Sequence, residues 1–152
     1  MNSVIIYGSH YGTTKRYAEK FSEVTKILVA NYKKIKNLSE YNLIIHFGGL
    51  YAGGVKGLKN TDSIRKSISR QVPENILKNT AVFHLRGGID YEKLNFRHRT
   101  MMTLLYNKAK NLPEDKKTAE VRAMIDTYNS KVDFVDYSSL NQIMDYVHKF
   151  SV

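Results

Sequence analysis

Cysteine is missing from all 152 residues, which removes disulfides, thiolate metal sites and a cysteine nucleophile. Proline occurs only twice and there is no low-complexity tract, so nothing in the chain reads as a linker or tail. No apolar run approaches the roughly 18 residues that a membrane span needs. The N-terminal run Val4-Ile5-Ile6-Tyr7 is too short for a signal peptide. None of the five histidines falls in an H-x-x-x-H or H-E-x-x-H spacing, and no serine sits in G-x-S-x-G. Paired carboxylates suited to acid–base work are not evident either; Asp90 and Glu92 flank a tyrosine and read as helix caps. With 42% hydrophobic and 25% charged residues, one soluble, cytoplasmic domain with a real core is expected over 1–152.

The net charge of +10 is unevenly spread. Residues 1–55 carry seven basic and three acidic side chains, residues 56–110 twelve and four, and residues 111–152 five and seven. Lys93, Arg97, Arg99, Lys108 and Lys110 follow one another without an acidic residue between them. Such a cluster suits an anionic membrane or an acidic partner, or is simply a solvated helix face. Nucleic acid is not expected, since aromatics are not interleaved with the cations in a stacking pattern.

Hydrophobic periodicity gives an alternation of strands and helices. Val4–Tyr7, Ile27–Ala30, Leu43–Phe47 and Ala81–Leu85 are short apolar runs of the kind that a parallel sheet buries. Tyr17, Ala18, Phe21 and Val24 recur at helical spacing after the first. Asp62 is placed to cap a helix displaying Ile64, Ile68 and Val72, and Pro73 suits the first turn of a short helix ending near Lys78. A basic helix is expected over 92–111, another over 114–128, and a short edge strand over Val132–Val135. Asp136 then caps a last helix whose stripe is Leu140, Ile143, Met144, Val147 and Phe150. This is an α/β pattern. In such folds ligands bind outside the carboxyl ends of the strands, where three small or glycine-rich loops follow Tyr7, Phe47 and Leu85.

The first loop, Ser9-His10-Tyr11-Gly12-Thr13-Thr14, runs from a strand into a helix, whose unpaired N–H groups and dipole attract phosphate. Gly12 permits close backbone approach, and the hydroxyls of Ser9, Thr13 and Thr14 can add hydrogen bonds. The alternative is that these hydroxyls only cap the helix. Walker A and G-x-G-x-x-G spacings are both absent, which favours a phosphate monoester over a pyrophosphate. His10 is a candidate ligand contact. His46 and His84 are expected in strands, core-packed or partner-bonded, and His98 and His148 on helices.

On these residues the chain resembles the flavodoxin family. Ser9, Gly12 and Thr14 match the family's [TS]-x-T-G-x-T loop, with Tyr11 in place of a threonine. The resemblance implies a flavodoxin-like three-layer sandwich, mostly parallel, binding flavin mononucleotide (FMN) and carrying electrons. It places the phosphate on Ser9 to Thr14 and the ring between Gly49-Leu50-Tyr51-Ala52-Gly53 and Arg86-Gly87-Gly88. Leu50 or Tyr51 would flank the ring, and stacking on Tyr51 would lower its potential by desolvation. The carbonyls of Gly48 and Gly49 are candidate acceptors for a flavin hydrogen bond. An ordinary rim aromatic is the other reading of Tyr51.

The segment His84–Tyr91 and the basic helix after it resemble the branch containing menaquinone-dependent protoporphyrinogen oxidases. That likeness implies either an electron carrier serving redox proteins or a quinone, or an FMN-dependent oxidoreductase. A flavin-free interaction protein is the third reading. Flavodoxins order five strands 2-1-3-4-5, and the interval from Gly49 to Asn79 has room for a single crossover. The sheet is therefore expected to be abbreviated to four main strands, with the 81–85 run beside the third or a second subunit filling the gap in a homodimer. The basic helix 92–111 is expected to reach a membrane surface peripherally, and Met101, Met102, Leu104 and Leu105 are expected mainly in the core, with a quinone- or membrane-facing surface as the other reading.

Overall fold

A computed structural model of the chain describes residues 1–49, 68–69 and 72–150. The predicted helix capped by Asp62 therefore lies almost wholly outside the described residues, as do Leu50, Tyr51, Ala52 and Gly53. The chain divides into two compact units, one of 1–49, 85–88 and 133–152, the other of 50–84 and 89–132.

The first unit holds the parallel sheet. Strands β1 (Ser3–Gly8), β2 (Leu28–Asn31) and β3 (Leu43–Gly48) run in the order β2-β1-β3. The register sets Ile5 against Val29 and Ile45, and Tyr7 against Phe47. Because side chains alternate across a strand, Ile5, Tyr7, Ile45 and Phe47 share one face, while Val4, Ile6, Ile44, His46 and Gly48 share the other. Helix α1 (Thr13–Thr25) covers the first of these faces, its Phe21 ring 5.7 Å from that of Phe47. Phe21 and Ala18 are wholly buried, as are Val4 and Ile5. Val24, expected on the same stripe, is exposed instead: it follows Phe21 by three residues and is carried round to the rim of the contact.

A 3-10 turn at Tyr137–Leu140 leads into the last helix, which also belongs to this unit. Asp136 caps the turn as expected, accepting from the Ser138 N–H at 2.9 Å. Leu140, Ile143 and Val147 are buried, but Phe150 is exposed past the end of the helix, which closes at His148.

The regular structure described in the second unit is mostly helical. It contains α2 (Glu74–Leu77), which Pro73 precedes rather than enters, then α3 (Phe96–Lys110) and α4 (Ala119–Asp126), with the last helix of the chain becoming α5 (Asn141–His148). The basic segment expected as one helix over 92–111 is a 3-10 turn at Tyr91–Lys93 followed by α3, which Asn95 caps by accepting from the His98 N–H at 2.9 Å. The helix expected over 114–128 is likewise a turn at Glu114–Lys116 and then α4, begun by Thr118. Tyr91 is buried edge-on against Tyr128, which stacks on Tyr106 at 3.9 Å.

Two expectations about strands need correction. Residues 81–85 are half-buried but form no strand, so among the described residues the parallel sheet has three members and not four. An apolar run satisfies burial without a ladder, and its composition does not distinguish the two. The short strand after Val132 exists as β5 (Lys131–Asp133), yet it pairs with β4 (Gly88–Asp90) in a separate two-stranded sheet and adds no edge to the main one. No helix among the described residues is long and apolar enough to cross a membrane.

Candidate functional site

All three strands of the sheet are parallel, so the segments after Gly8, Asn31 and Gly48 emerge at one edge. The first is the Ser9–Thr14 loop. Gly12 stands at the N-cap of α1 with φ of 93°, in the left-handed region that glycine enters without a steric penalty. Its N–H donates to the Ser9 hydroxyl oxygen at 3.0 Å, and its carbonyl accepts from Arg16 N–H at 3.0 Å, which starts the helix. A side chain added at Gly12 would meet no atom within 4 Å, leaving aside its own chain neighbours. Open space therefore faces this turn.

Among the described residues no side chain caps α1, whose N-cap is the glycine itself. The alternative reading, in which the loop's hydroxyls only cap the helix, fits neither threonine: both lie inside the first turn, and the N–H groups of residues 13 to 15 have no partner within the helix. There is no acidic residue in that turn. Instead the sequence puts Lys15 and Arg16 there, at the positive end of the dipole, where cations are disfavoured. Each cation is answered from elsewhere: Lys15 by Glu19 at 3.4 Å, and Arg16 by Asp133 at 2.6 Å. The Asp133 carboxylate, with help from Tyr137, raises the Arg16 pKa above its usual value. Among the described residues the amides themselves have no partner, an arrangement suited to an anion. His10 and Tyr11 pack edge-on against each other, ring centroids 4.5 Å apart.

The third predicted loop is brought to this helix by a residue that sequence reasoning had assigned only to the core. Tyr17, one turn into α1 and almost fully buried, donates its hydroxyl proton to the Arg86 carbonyl at 2.8 Å and accepts from the Asp136 N–H at 2.9 Å. Its ring also meets Tyr137 edge-on. Gly87 is fixed by its carbonyl, which accepts from Phe134 N–H at 3.1 Å, while a Cβ added there would meet nothing within 4 Å beyond its chain neighbours. The Arg86 guanidinium lies 4.6 Å over the Phe134 ring. Asp136 sits below the usual carboxylate range because Ser138 donates to it twice, with Arg86 adding a weaker attraction. No local spacing links Tyr17 with Arg86, which are 69 residues apart, so the sequence held no signal for this clasp.

At the end of β3, Gly48 is exposed and Gly49 half-buried. A Cβ on Gly48 would lie 3.2 Å from Cε1 of His46, whose ring leans over the glycine. Desolvation where the His46 ring packs pushes its pKa below the ordinary value, although the residue as a whole is exposed. His46 is on the strand as expected, but it is not a core residue. His84, also expected on a strand, lies in the irregular 81–87 stretch. After β2, Tyr32 covers Gly8: a Cβ there would be 3.4 Å from the tyrosine ring. Sequence reasoning had not singled out Tyr32.

The first unit therefore gathers Ser9 to Thr14, Gly48, Gly49 and Arg86 to Gly88, whereas Leu50, Tyr51, Ala52 and Gly53 lie outside the described residues. The class this defines is a parallel α/β domain with an open, uncapped helix N-terminus at the carboxyl edge of its sheet, a frame consistent with a flavodoxin-like fold. The family whose sequence model matches is described as "Flavodoxin domain", over residues 4–60. That stretch contains β1, α1, β2 and β3, and with them the whole first loop. Among curated proteins and solved structures, none matches the chain.

Proposed function

We propose that this chain is a flavodoxin-type redox protein that holds one FMN noncovalently and passes electrons between partner molecules. The reading is carried by a single observation: Gly12, left-handed and facing open space, begins a helix whose first amides have no internal partner. The match of residues 4–60 to a flavodoxin domain supports it. FMN, when bound, supplies one- and two-electron chemistry that no amino-acid side chain here offers.

The chain's own part is to bind and orient. The N–H groups of Thr13, Thr14 and Lys15 would hold the phosphate, assisted by the hydroxyls of Thr13 and Thr14. Ser9, whose oxygen already accepts from Gly12, keeps its proton free to donate. Gly48, Gly49 and the Arg86–Gly88 segment, held by Tyr17, would border the ring, and His10 would reach the ligand from the loop.

Purified protein should show the visible absorbance of bound flavin, or quench FMN fluorescence on titration. The Gly12→Val variant, strained by about 1–2 kcal/mol at a left-handed position, should fold but bind FMN at least tenfold more weakly. A folded, colourless protein that leaves FMN fluorescence unchanged would mean a flavin-free interaction protein. Catalytic turnover of a quinone or porphyrinogen by the loaded protein would mean an enzyme in place of a carrier.

A further inference from the structure

The second unit carries a surface that flavin binding does not use. Helix α3 contains Arg97, Arg99, Lys108 and Lys110, and no acidic residue occurs anywhere from 93 to 113. At 3.6 residues per turn, Phe96, Arg97, Thr100, Leu104, Asn107 and Lys108 fall within about one third of its circumference. All six are exposed, Phe96 by 84% and Leu104 by 65%. Over the rest of the circumference Met101, at the border of that face, Leu105 and Met102 are half-buried and Ala109 buried, which is where the helix packs. Neither Arg97 nor Lys108 has an ion-pair partner among the described residues, whereas Arg99 donates to the Tyr91 carbonyl and Lys110 lies over the Tyr106 ring.

We infer that this outer face of α3 rests on an anionic lipid bilayer. Phe96 and Leu104 stand two turns apart, about 12 Å along the axis, with Thr100 between them. On this helix face they do not stand side by side, and a protein partner would need matched shape around each of them. A bilayer requires no such match: each apolar side chain enters between lipids separately, while Arg97 and Lys108 beside them meet the headgroup phosphates at the same depth. The helix is stiff and already capped by Asn95, so ordering costs little on contact. Flavin binding plays no part in this inference.

The test is sedimentation of the full-length protein with vesicles of phosphatidylglycerol or of phosphatidylcholine at physiological salt. Binding to the first and not the second is expected. Arg97→Gln with Lys108→Gln should weaken it about twenty- to thirtyfold, the product of two surface cations. Phe96→Ser with Leu104→Ser keeps every charge and should weaken it about tenfold. Lys33→Gln with Lys34→Gln removes the same charge from the first unit and should leave it within about twofold. Circular dichroism checks that each exposed-site variant folds. Equal sedimentation with both lipids, equal loss in the Lys33/Lys34 variant, or an unchanged Phe96/Leu104 variant overturns the inference. So does full displacement by soluble polyglutamate, which would indicate an acidic protein.

Discussion

Gly12 and Ser9 divide the work of the first loop. The glycine takes a conformation that other residues resist, and the serine oxygen holds its N–H so that the turn stays in that shape. Replacing Ser9 by alanine should lower stability by about 1 kcal/mol and weaken FMN binding, read from urea melts and fluorescence titration. Tyr17 is more consequential. Tyr17→Phe keeps the buried ring but strips partners from the Arg86 carbonyl and the Asp136 amide together, at a cost of about 1–2 kcal/mol. If the clasp positions the 86–88 segment against the ring, riboflavin and FMN should both bind more weakly to this variant. His46 gives the pH response. Its native pKa lies below the ordinary 6.5 because packing disfavours the charged imidazolium. The unfolded chain therefore binds that proton more readily, so stability is complete above about pH 6.5 and falls as pH drops through the native value. Urea midpoints measured from about pH 8 down to about pH 5 should decline, and His46→Gln should flatten the upper part of that decline. Asp136, depressed by Ser138, contributes in the same direction but only at lower pH.

Among the elements, those legible in the sequence were the ones whose pattern is set by contact with one neighbour. β1 and β3 lie where continuous apolar runs predicted them, and α1 where its Tyr17–Ala18–Phe21 stripe did. The cap at Asp136 was legible because a short acceptor before a helix satisfies amides locally. The 81–85 segment was not, since apolar content reports burial and says nothing of which backbone groups pair. The helix starts of the second unit were misjudged for a related reason. Asn95 and Thr118 both accept from amides three residues on, and each marks a boundary a few residues inside the span that the apolar spacing suggests. Asn95→Ala should therefore cost about 1 kcal/mol and fray the first turn of α3, seen as faster amide exchange at residues 96–99. In the candidate site, the glycine-rich loops were visible from composition, while Tyr17, Arg16 with Asp133, and Tyr32 over Gly8 depend on contacts that only folding creates.

For the molecule as a whole, the two units carry different features, although the 50–53 segment expected beside the ring falls with the second. The first unit carries the sheet edge, the open helix terminus and the clasped 86–88 segment; the second carries the unbroken run of cations on α3. A net charge of +10 makes any acidic redox partner approach faster at low salt and more slowly as screening rises. The central claim, however, concerns an anion seated on the amides of α1, and it is tested most directly by comparing two ligands that differ only in the phosphate. Titrated into the protein at constant ionic strength, FMN should quench with one equivalent per chain, and riboflavin should bind at least a hundredfold more weakly, about 2.7 kcal/mol. Equal affinity for the two, or no quenching by either, would contradict the account.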